Sequence, residues 1–169
     1  MSGTNELAHA LATALGCPAL CRDEIKGGLV HTYGATFEGA GGDELNRPTH
    51  ELFFEVLKVL LAGGASVVAA ASYQDRLWRS GLEPLSELAE LRIVQCSTDP
   101  GLARERRRAA IESGGHRAHA VIIGDKLEDW EQAFASFERL SLPAPTIGVV
   151  TDDGYSPGLA EIVEFVSRS

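Results

Sequence analysis

The stretch Gly63-Gly64-Ala65-Ser66-Val67-Val68-Ala69-Ala70-Ala71 decides the fold class of this chain. It ends in an unbroken run of small apolar side chains, which is typical of a strand that is covered on both faces of a sheet. The two glycines follow a strongly amphipathic helical pattern over 48–61 and predict the end of that helix. The stretch therefore predicts a helix that leads into a buried strand.

On either side of this stretch, predicted helices and strands alternate. Apolar residues at helical spacing predict a first helix over 5–15, and Asp23 lies where a second helix begins and runs through Val30. The other predicted elements are strands at 19–21, 91–96 and 145–150 and helices at 82–90, 99–113, 126–140 and 158–167. The alternation predicts an α/β layer fold with a parallel sheet, and clustered glycines predict a loop over 33–46.

The composition is that of an ordinary globular protein, and we expect one domain over residues 1–169. Hydrophobic residues make up 44% of the chain and charged residues 23%. Fifteen lysines and arginines against 24 acidic residues give a net charge of −9, which argues against nucleic acid as a partner. Without a run of roughly 18 apolar residues, a signal peptide or a disulfide framework, we expect a cytoplasmic protein with no membrane partner.

Four segments in a fixed order resemble the small P-loop kinases, in particular the zeta-toxin-like and chloramphenicol-phosphotransferase-like group. The segments are 7–18, Arg22-Asp23-Glu24-Ile25-Lys26, 67–74 and Asp99-Pro100-Gly101-Leu102-Ala103-Arg104-Glu105-Arg106, and the resemblance covers nearly the whole chain. It implies a three-layer fold with a parallel sheet and helices on both faces. It also implies ATP and Mg²⁺ as cofactors, and transfer of the γ-phosphoryl group to a small hydroxyl-bearing substrate.

The phosphate-binding loop of this family is incomplete in the chain. In the family, Gly-x-x-x-x-Gly-Lys-Ser/Thr follows a first, central strand, and its backbone N–H groups cradle phosphates. Here Ser2 and Gly3 stand where the loop ends, so Thr4 occupies the lysine position and Asn5 the hydroxyl position. An alignment with a two-residue deletion between Thr4 and Asn5 loses the lysine as well. The first strand is thus missing or replaced, through truncation or degeneration.

This incomplete loop leads to two functional hypotheses. The first is a kinase-like domain that binds a nucleotide through Ser2, Gly3, Thr4 and Asn5 and has impaired turnover, because the lysine that neutralises phosphate charge is lost. The alternative is a non-catalytic α/β domain that binds a ligand or a partner. In either case an unpaired sheet edge would favour self-association.

The resemblance also implies catalytic and substrate-binding residues at strand ends. Asp23 would accept the proton of the substrate hydroxyl, although aspartate is also a common helix N-cap. Arg22, Gln74 and Asp75 would contact the substrate. Relatives tend to carry an acidic residue at the position of Ala70, so a carboxylate for Mg²⁺ is missing there.

The remaining candidates are basic residues and a loop. Arg104 and Arg108 would stabilise the transferred phosphoryl group, and Arg107 and Arg117 would bind the nucleotide as parts of a lid over 104–124. A solvated, ion-paired helix face is the other interpretation of this charge run. The resemblance implies nucleotide contacts from one further loop, which is also a simple turn signal; its residues are Thr151, Asp152 and Gly154.

No metal site is predicted from the residue spacing. Cys17 and Cys21 span a turn, and no second pair of cysteines or histidines stands at the spacing of a zinc site. His9 lies within the first predicted helix, and we expect it to be a packing or surface residue.

Overall fold

A computed structural model describes residues 3–33, 45–112 and 136–168 of the protein. Helices and strands alternate along these residues. They are α1 (Thr4–Leu15), β1 (Ala19–Cys21), α2 (Arg22–Tyr33), α3 (Asn46–Ala62), β2 (Val68–Ala70), α4 (Asp75–Leu82), a 3₁₀-helix (Glu83–Glu87), β3 (Ile93–Ser97), α5 (Pro100–Glu112), β4 (Thr146–Val150) and α6 (Leu159–Ser167). The predicted α/β class and all four predicted strands are confirmed.

Two predicted helices differ from the structure. The helix predicted over 82–90 is wrong: α4 ends at Leu82, and a 3₁₀-helix follows because Pro84 cannot donate the backbone hydrogen bond of a helix interior. Of the helix predicted over 126–140, the described residues 136–140 are not helical, and Arg139 forms an isolated antiparallel bridge with Gln74. Residues 126–135, most of the loop predicted over 33–46, and 114–124 of the predicted lid lie outside the described residues.

The four strands form two separate parallel pairs. β1 pairs with β2 in the register Ala19 to Val68, and β3 pairs with β4 in the register Ile93 to Thr146. Within the described ranges, no strand hydrogen bond joins one pair to the other. In the described part of the chain, each strand therefore has a backbone ladder along one edge only.

The apolar run that contains β2 packs to both sides. The odd-numbered residues of 67–71 pack against a core from α3 and α4 in which Phe53 and Trp78 are buried. The even-numbered residues pack against α1, where Leu7 and Ala8 are buried. This alternation follows from the period of two along a strand, and it confirms that the strand is covered on both faces.

Helix α1 connects the two strand pairs. It contacts β1 and β2 on one side and α6 on another. Leu7 and Leu11 of α1 share an apolar cluster with Val149 of β4 and Ile162 of α6, both fully buried. The first turn of α1 therefore lies where the two pairs approach each other. No helix among the described residues has both the length and the apolar character needed to cross a membrane.

Candidate functional site

A cavity lies at the beginning of α1. Its volume is about 460 Å³, and seven residues line it. They are Gly3, Glu6, Arg106, Ala109, Thr151, Gly154 and Tyr155. These residues come from the first turn of α1, from α5 and from the loop that follows β4. In open α/β sheets, ligands bind beyond the carboxyl ends of the strands, which is where this loop begins.

The loop after β4, residues 151–155, is held closed at its base. Val150 and Ser156 exchange two backbone hydrogen bonds of 2.8 and 3.0 Å. Gly154 has a positive φ of 75°, which a residue with a side chain rarely adopts. The loop thus has a defined shape on the wall of the cavity.

Arg106 joins this loop to α5. Its guanidinium donates hydrogen bonds to the carbonyl oxygens of Thr151, at 2.7 Å, and of Asp152, at 2.5 Å. The Asp152 carboxylate in turn accepts a hydrogen bond of 2.8 Å from the backbone N–H of Asp99, just before α5. The planar guanidinium with its several donors suits this bridging role. One face of Arg106 is therefore committed to the loop while the residue also lines the cavity.

Thr151 fixes the start of the loop from inside. It is buried, and its hydroxyl donates to the carbonyl oxygen of Ser97 at 3.1 Å and contacts the Thr98 hydroxyl. Its backbone N–H donates to the same Ser97 oxygen at 2.9 Å. The ends of β3 and β4 are thereby tied together at the floor of the site.

The first turn of α1 presents backbone N–H groups at the cavity. Gly3 precedes the helix with a positive φ of 67° and, as the N-cap residue, has no side chain with which to cap it. A Cβ on Gly3 would lie 3.7 Å from Thr151 Cβ, so the helix start approaches the loop closely. The N–H groups of a first helical turn and the helix dipole favour an anion at such a position. Glu6, an exposed carboxylate in the same turn, lines the same cavity.

Tyr155 and Cys96 adjoin this helix start. Tyr155 is half-buried on the cavity wall, and burial, with a smaller effect from Glu6, raises its pKa. Burial also raises the pKa of the Cys96 thiol, against a weaker opposing effect of its hydrogen bond with the Thr4 side chain. The tyrosine is therefore a neutral aromatic surface, and Thr4 is directed toward the end of β3.

Asp23 and Arg22 lie at the end of β1, a second strand terminus. The two side chains form an ion pair of 3.6 Å, in which Asp23 is 30% exposed and Arg22 only 14%. Arg22 donates to the Asn46 amide oxygen at 2.9 Å and lies 6.0 Å from the centre of the Trp78 ring. Burial lowers the pKa of Arg22, and Asp23 opposes this effect. Fully buried Lys26 donates to the same amide oxygen at 2.8 Å.

Gln74 and Asp75 begin α4 and contact protein groups. The Asp75 carboxylate accepts a hydrogen bond of 2.8 Å from the backbone N–H of Ser141 and pairs with Arg79 at 2.9 Å. The Ser141 hydrogen bond, with a further contribution from Arg79, lowers the pKa of Asp75. These bonds fasten α4 to the segment before β4, so a role in substrate binding stays a prediction for both residues.

The arginines of the basic run on α5 have different surroundings, which helical spacing alone does not predict. Arg104 is half-buried and Arg108 exposed, and neither lines the cavity. Arg106, which the spacing argument passed over, is the one that reaches the loop. The side chain of Arg107, as well as Ser2 and Arg117, lies outside the described part of the protein. The sequence analysis also missed Glu6 and Tyr155, because nothing in their spacing links them to the loop.

Comparisons with known proteins bear on the fold. No family model matches the chain, and no curated protein matches it significantly in sequence. Among solved structures, it is similar to a protein from Chloroflexus aurantiacus J-10-fl described as a "putative kinase", with 20% sequence identity and a TM-score of 0.77. The match covers 98% of this chain and 90% of that one. At this identity the likeness shows the fold alone, so the chain shares the α/β fold of that protein.

Proposed function

We propose that this protein is a kinase-like nucleotide-binding domain that takes ATP in the cavity at the start of α1. The observation that carries the proposal is the position of that cavity, between the start of a helix and the loop after a parallel strand. Its volume of about 460 Å³ is in the range of small-molecule sites. The kinase-like fold of the solved relative supports the same class.

The cavity and the helix start beside it offer groups for the phosphates and the base of a nucleotide. The backbone N–H groups of Thr4, Asn5 and Glu6 suit phosphate oxygens. The Tyr155 ring offers a flat apolar face to a base, and Arg106 a delocalised cation. Glu6 repels phosphate, which places the phosphates nearer Gly3 than the body of the helix. Of the three loop residues predicted to contact the nucleotide, Thr151, Asp152 and Gly154, the first two already accept hydrogen bonds from Arg106 through their carbonyl oxygens, so the Gly154 backbone is the group proposed to meet the base.

A hydroxyl-bearing acceptor would approach from the end of β1. Asp23 is exposed enough to meet a ligand, and as a carboxylate it can accept the hydroxyl proton. Arg22 holds this carboxylate in place. In the proposed complex, Arg104 and Arg108 would close over the phosphates as the resemblance implies. The three-layer arrangement of the P-loop kinases is part of this proposal, and the division of the strands into two pairs is what the loss of their central strand would leave.

The residues fit ATP better than they fit Mg²⁺. When bound, Mg²⁺ neutralises charge on the phosphates in this class of reaction. The position at which relatives carry a carboxylate is Ala70, only 3% exposed in an apolar cluster, and the Asp152 carboxylate already accepts the N–H of Asp99. With Thr4 in the lysine position, charge that develops on the transferred group lacks several kcal/mol of stabilisation on the general scale of such groups, so we expect slow turnover.

The same residues favour a second function, that of a binding domain without catalysis. Thr4 and Ala70 replace the two charged groups that the chemistry needs most, whereas the groups proposed for the base are present. A binding domain would take ATP and ADP with similar affinity and transfer no phosphoryl group. Incubation with γ-labelled ATP and a panel of small alcohols and sugars separates the two functions.

Both proposed functions require that ATP binds in the cavity, and isothermal titration with ATP, with and without Mg²⁺, tests this binding. We expect a single site, and a loss of about tenfold in affinity for Arg106→Ala, since this change removes a charged group and loosens the loop. Arg47→Ala is the matched control, because Arg47 lies exposed on α3 and pairs with Glu51. If neither ATP nor ADP binds at millimolar concentration, the proposal is wrong; if Arg108→Ala weakens binding and Arg106→Ala does not, the site lies farther along α5.

A further inference from the structure

Three side chains of different chemistry converge where α1 crosses the junction of β1 and α2. His9 lies in the middle of α1, Cys21 is the last residue of β1, and Glu24 lies in the first turn of α2. One ligand atom from each lies within 4.8 Å of the other two. The neutral imidazole, the thiol sulfur and the carboxylate oxygen are the donor types that zinc-type ions bind.

The distances suit one ion. His9 Nε2 is 3.8 Å from Cys21 Sγ and 2.6 Å from Glu24 Oε1. Around a tetrahedral zinc with bonds of about 2.0 to 2.3 Å, ligand atoms lie about 3.3 to 3.6 Å apart. The sulfur–nitrogen distance is about 0.2 Å above this range, and the nitrogen–oxygen pair has to open by less than 1 Å, on the order of a small change in one rotamer. Both residues that must adjust, His9 and Glu24, are about half exposed.

The contacts do not match a nucleophilic cysteine. In a Cys–His–carboxylate relay the thiol and the carboxylate contact opposite ring nitrogens, because one nitrogen takes the thiol proton while the other donates to the carboxylate. Here both contacts are made to the same atom, Nε2. Cys21 is also buried, with 2% of its surface exposed. Three donor atoms within 4.8 Å of one another, with both contacts on the same ring nitrogen, fit a cation site better than a proton relay.

The local charge also favours a cation. Three carboxylates, those of Glu24, Asp23 and Glu6, lie near enough to act electrostatically on the Cys21 side chain. Their negative charge attracts a divalent ion. When the ion binds, the thiol proton leaves to solvent and the thiolate sulfur becomes a ligand.

We propose that His9 Nε2, Cys21 Sγ and Glu24 Oε1 bind one zinc-type divalent ion, whose fourth position is taken by water. This inference goes beyond the nucleotide site and departs from the expectation that the chain holds no metal site. The ion would join α1, β1 and α2 at a single point, which supports the helix that begins at the proposed nucleotide cavity. Three protein ligands and one open position is also the arrangement of metal sites that bind an exchangeable molecule.

Titration of the full chain with Co²⁺, after removal of metals by chelation, tests the proposal directly. We expect one equivalent of Co²⁺ to bind with visible bands of tetrahedral cobalt and a near-ultraviolet charge-transfer band from sulfur. Cys21→Ser should abolish the charge-transfer band, and His9→Gln or Glu24→Gln should weaken Co²⁺ binding by tenfold or more. Cys17→Ser and Cys96→Ser are the matched controls and should retain the wild-type spectrum.

A second measurement separates loss of the site from loss of the fold. Zn²⁺ should raise the midpoint of thermal unfolding of the wild type and of Cys17→Ser, but not that of Cys21→Ser, with circular dichroism used to verify that each variant is folded. The proposal is overturned if Cys21→Ser keeps the charge-transfer band, if Cys17→Ser loses it, or if no stoichiometric Co²⁺ binding occurs at micromolar concentration. It is also overturned if Zn²⁺ stabilises a folded Cys21→Ser variant as much as the wild type.

Discussion

The two strand pairs of this protein are covered in different ways. The β1–β2 pair lies beside an aromatic core in which Phe53, Phe54 and Trp78 pack edge to face or tilted, with ring centres 5.6 to 5.7 Å apart. The β3–β4 pair packs mainly in a smaller cluster around Leu7, Leu11, Val149 and Ile162, although Ile93 also contacts the aromatic core. All five residues of β3 are half-buried, and Val150 is exposed. Among the described residues, the aromatic core is therefore centred on one pair, while the cavity proposed for a nucleotide lies at the end of the other.

This contrast suggests how a split sheet persists. The aromatic core needs no central strand, because its rings bury their area against α3 and α4. The other pair is instead fastened by hydrogen bonds at its carboxyl end, through Thr151 and Arg106. Side-chain packing thus stabilises the β1–β2 side, whereas hydrogen bonds fix the conformation of the loop at the end of the β3–β4 pair.

The largest effect should come from opening the aromatic core. Phe53 is fully buried, and Phe53→Ala is expected to lower the free energy of unfolding by about 3–5 kcal/mol through lost burial and a cavity. Urea unfolding monitored by circular dichroism measures it. Val59→Ala on the same helix is the control, because Val59 is 73% exposed and the change should stay within about 0.5 kcal/mol. Equal losses for the two variants would contradict the assignment of the core.

A smaller effect is expected when the same core is overfilled. A Cβ on Gly81 would lie 2.5 Å from Phe54 Cζ, and the surrounding rings leave Phe54 little room to move. Gly81→Ala should therefore cost about 1–3 kcal/mol of stability. Gly28→Ala, where a Cβ meets no atom within 4 Å on α2, should instead stabilise by about 0.5–1 kcal/mol. A neutral Gly81→Ala would mean that α3 and α4 are packed more loosely than described.

The β3–β4 side should respond to loss of hydrogen bonds rather than of volume. Thr151→Val keeps the shape of the side chain but removes the hydroxyl that donates to Ser97 and contacts Thr98, at a cost of about 1–2 kcal/mol. The same variant should bind ATP more weakly, because the loop loses its anchor. Calorimetric unfolding and titration give the two values. If stability falls while ATP affinity is unchanged, the loop does not belong to a nucleotide site.

The smallest effect expected is a pH dependence of stability, caused by the Asp75 carboxylate that joins α4 to the segment before β4. The pKa of Asp75 is lowered in the folded state by the Ser141 N–H and by Arg79, so Asp75 contributes stability above its unfolded pKa of about 3.9. This contribution is lost as the pH falls through the folded pKa, below about 4. Unfolding of the wild type and of Asp75→Asn, followed from pH 7 to pH 3, should give a steeper acid loss for the wild type. Parallel curves would contradict the bond to Ser141.

Strand positions were predictable from the sequence, because the run at 67–71 and the apolar stretches at 93–96 and 146–150 carry the signal of buried strands. The end of α4 at Leu82 was not, because proline is also tolerated in the first turn of a helix, so Pro84 is compatible both with a helix that begins at residue 82 and with one that ends there.

The residues of the candidate site were harder to predict than the strands. Helical spacing selects Arg104 and Arg108, but the carbonyl oxygens after β4 decide which arginine is used, and they are 45 residues away from Arg106. The cluster of His9, Cys21 and Glu24 likewise depends on how α1 crosses β1.

Hydrogen–deuterium exchange with and without saturating MgATP tests the central claim most directly, since it reports where the nucleotide binds. The account predicts slower exchange in three segments, 3–7, 97–106 and 150–156, and unchanged exchange in α3. Protection of α3 alone, or no protection at a nucleotide concentration that saturates binding in titration, would contradict it.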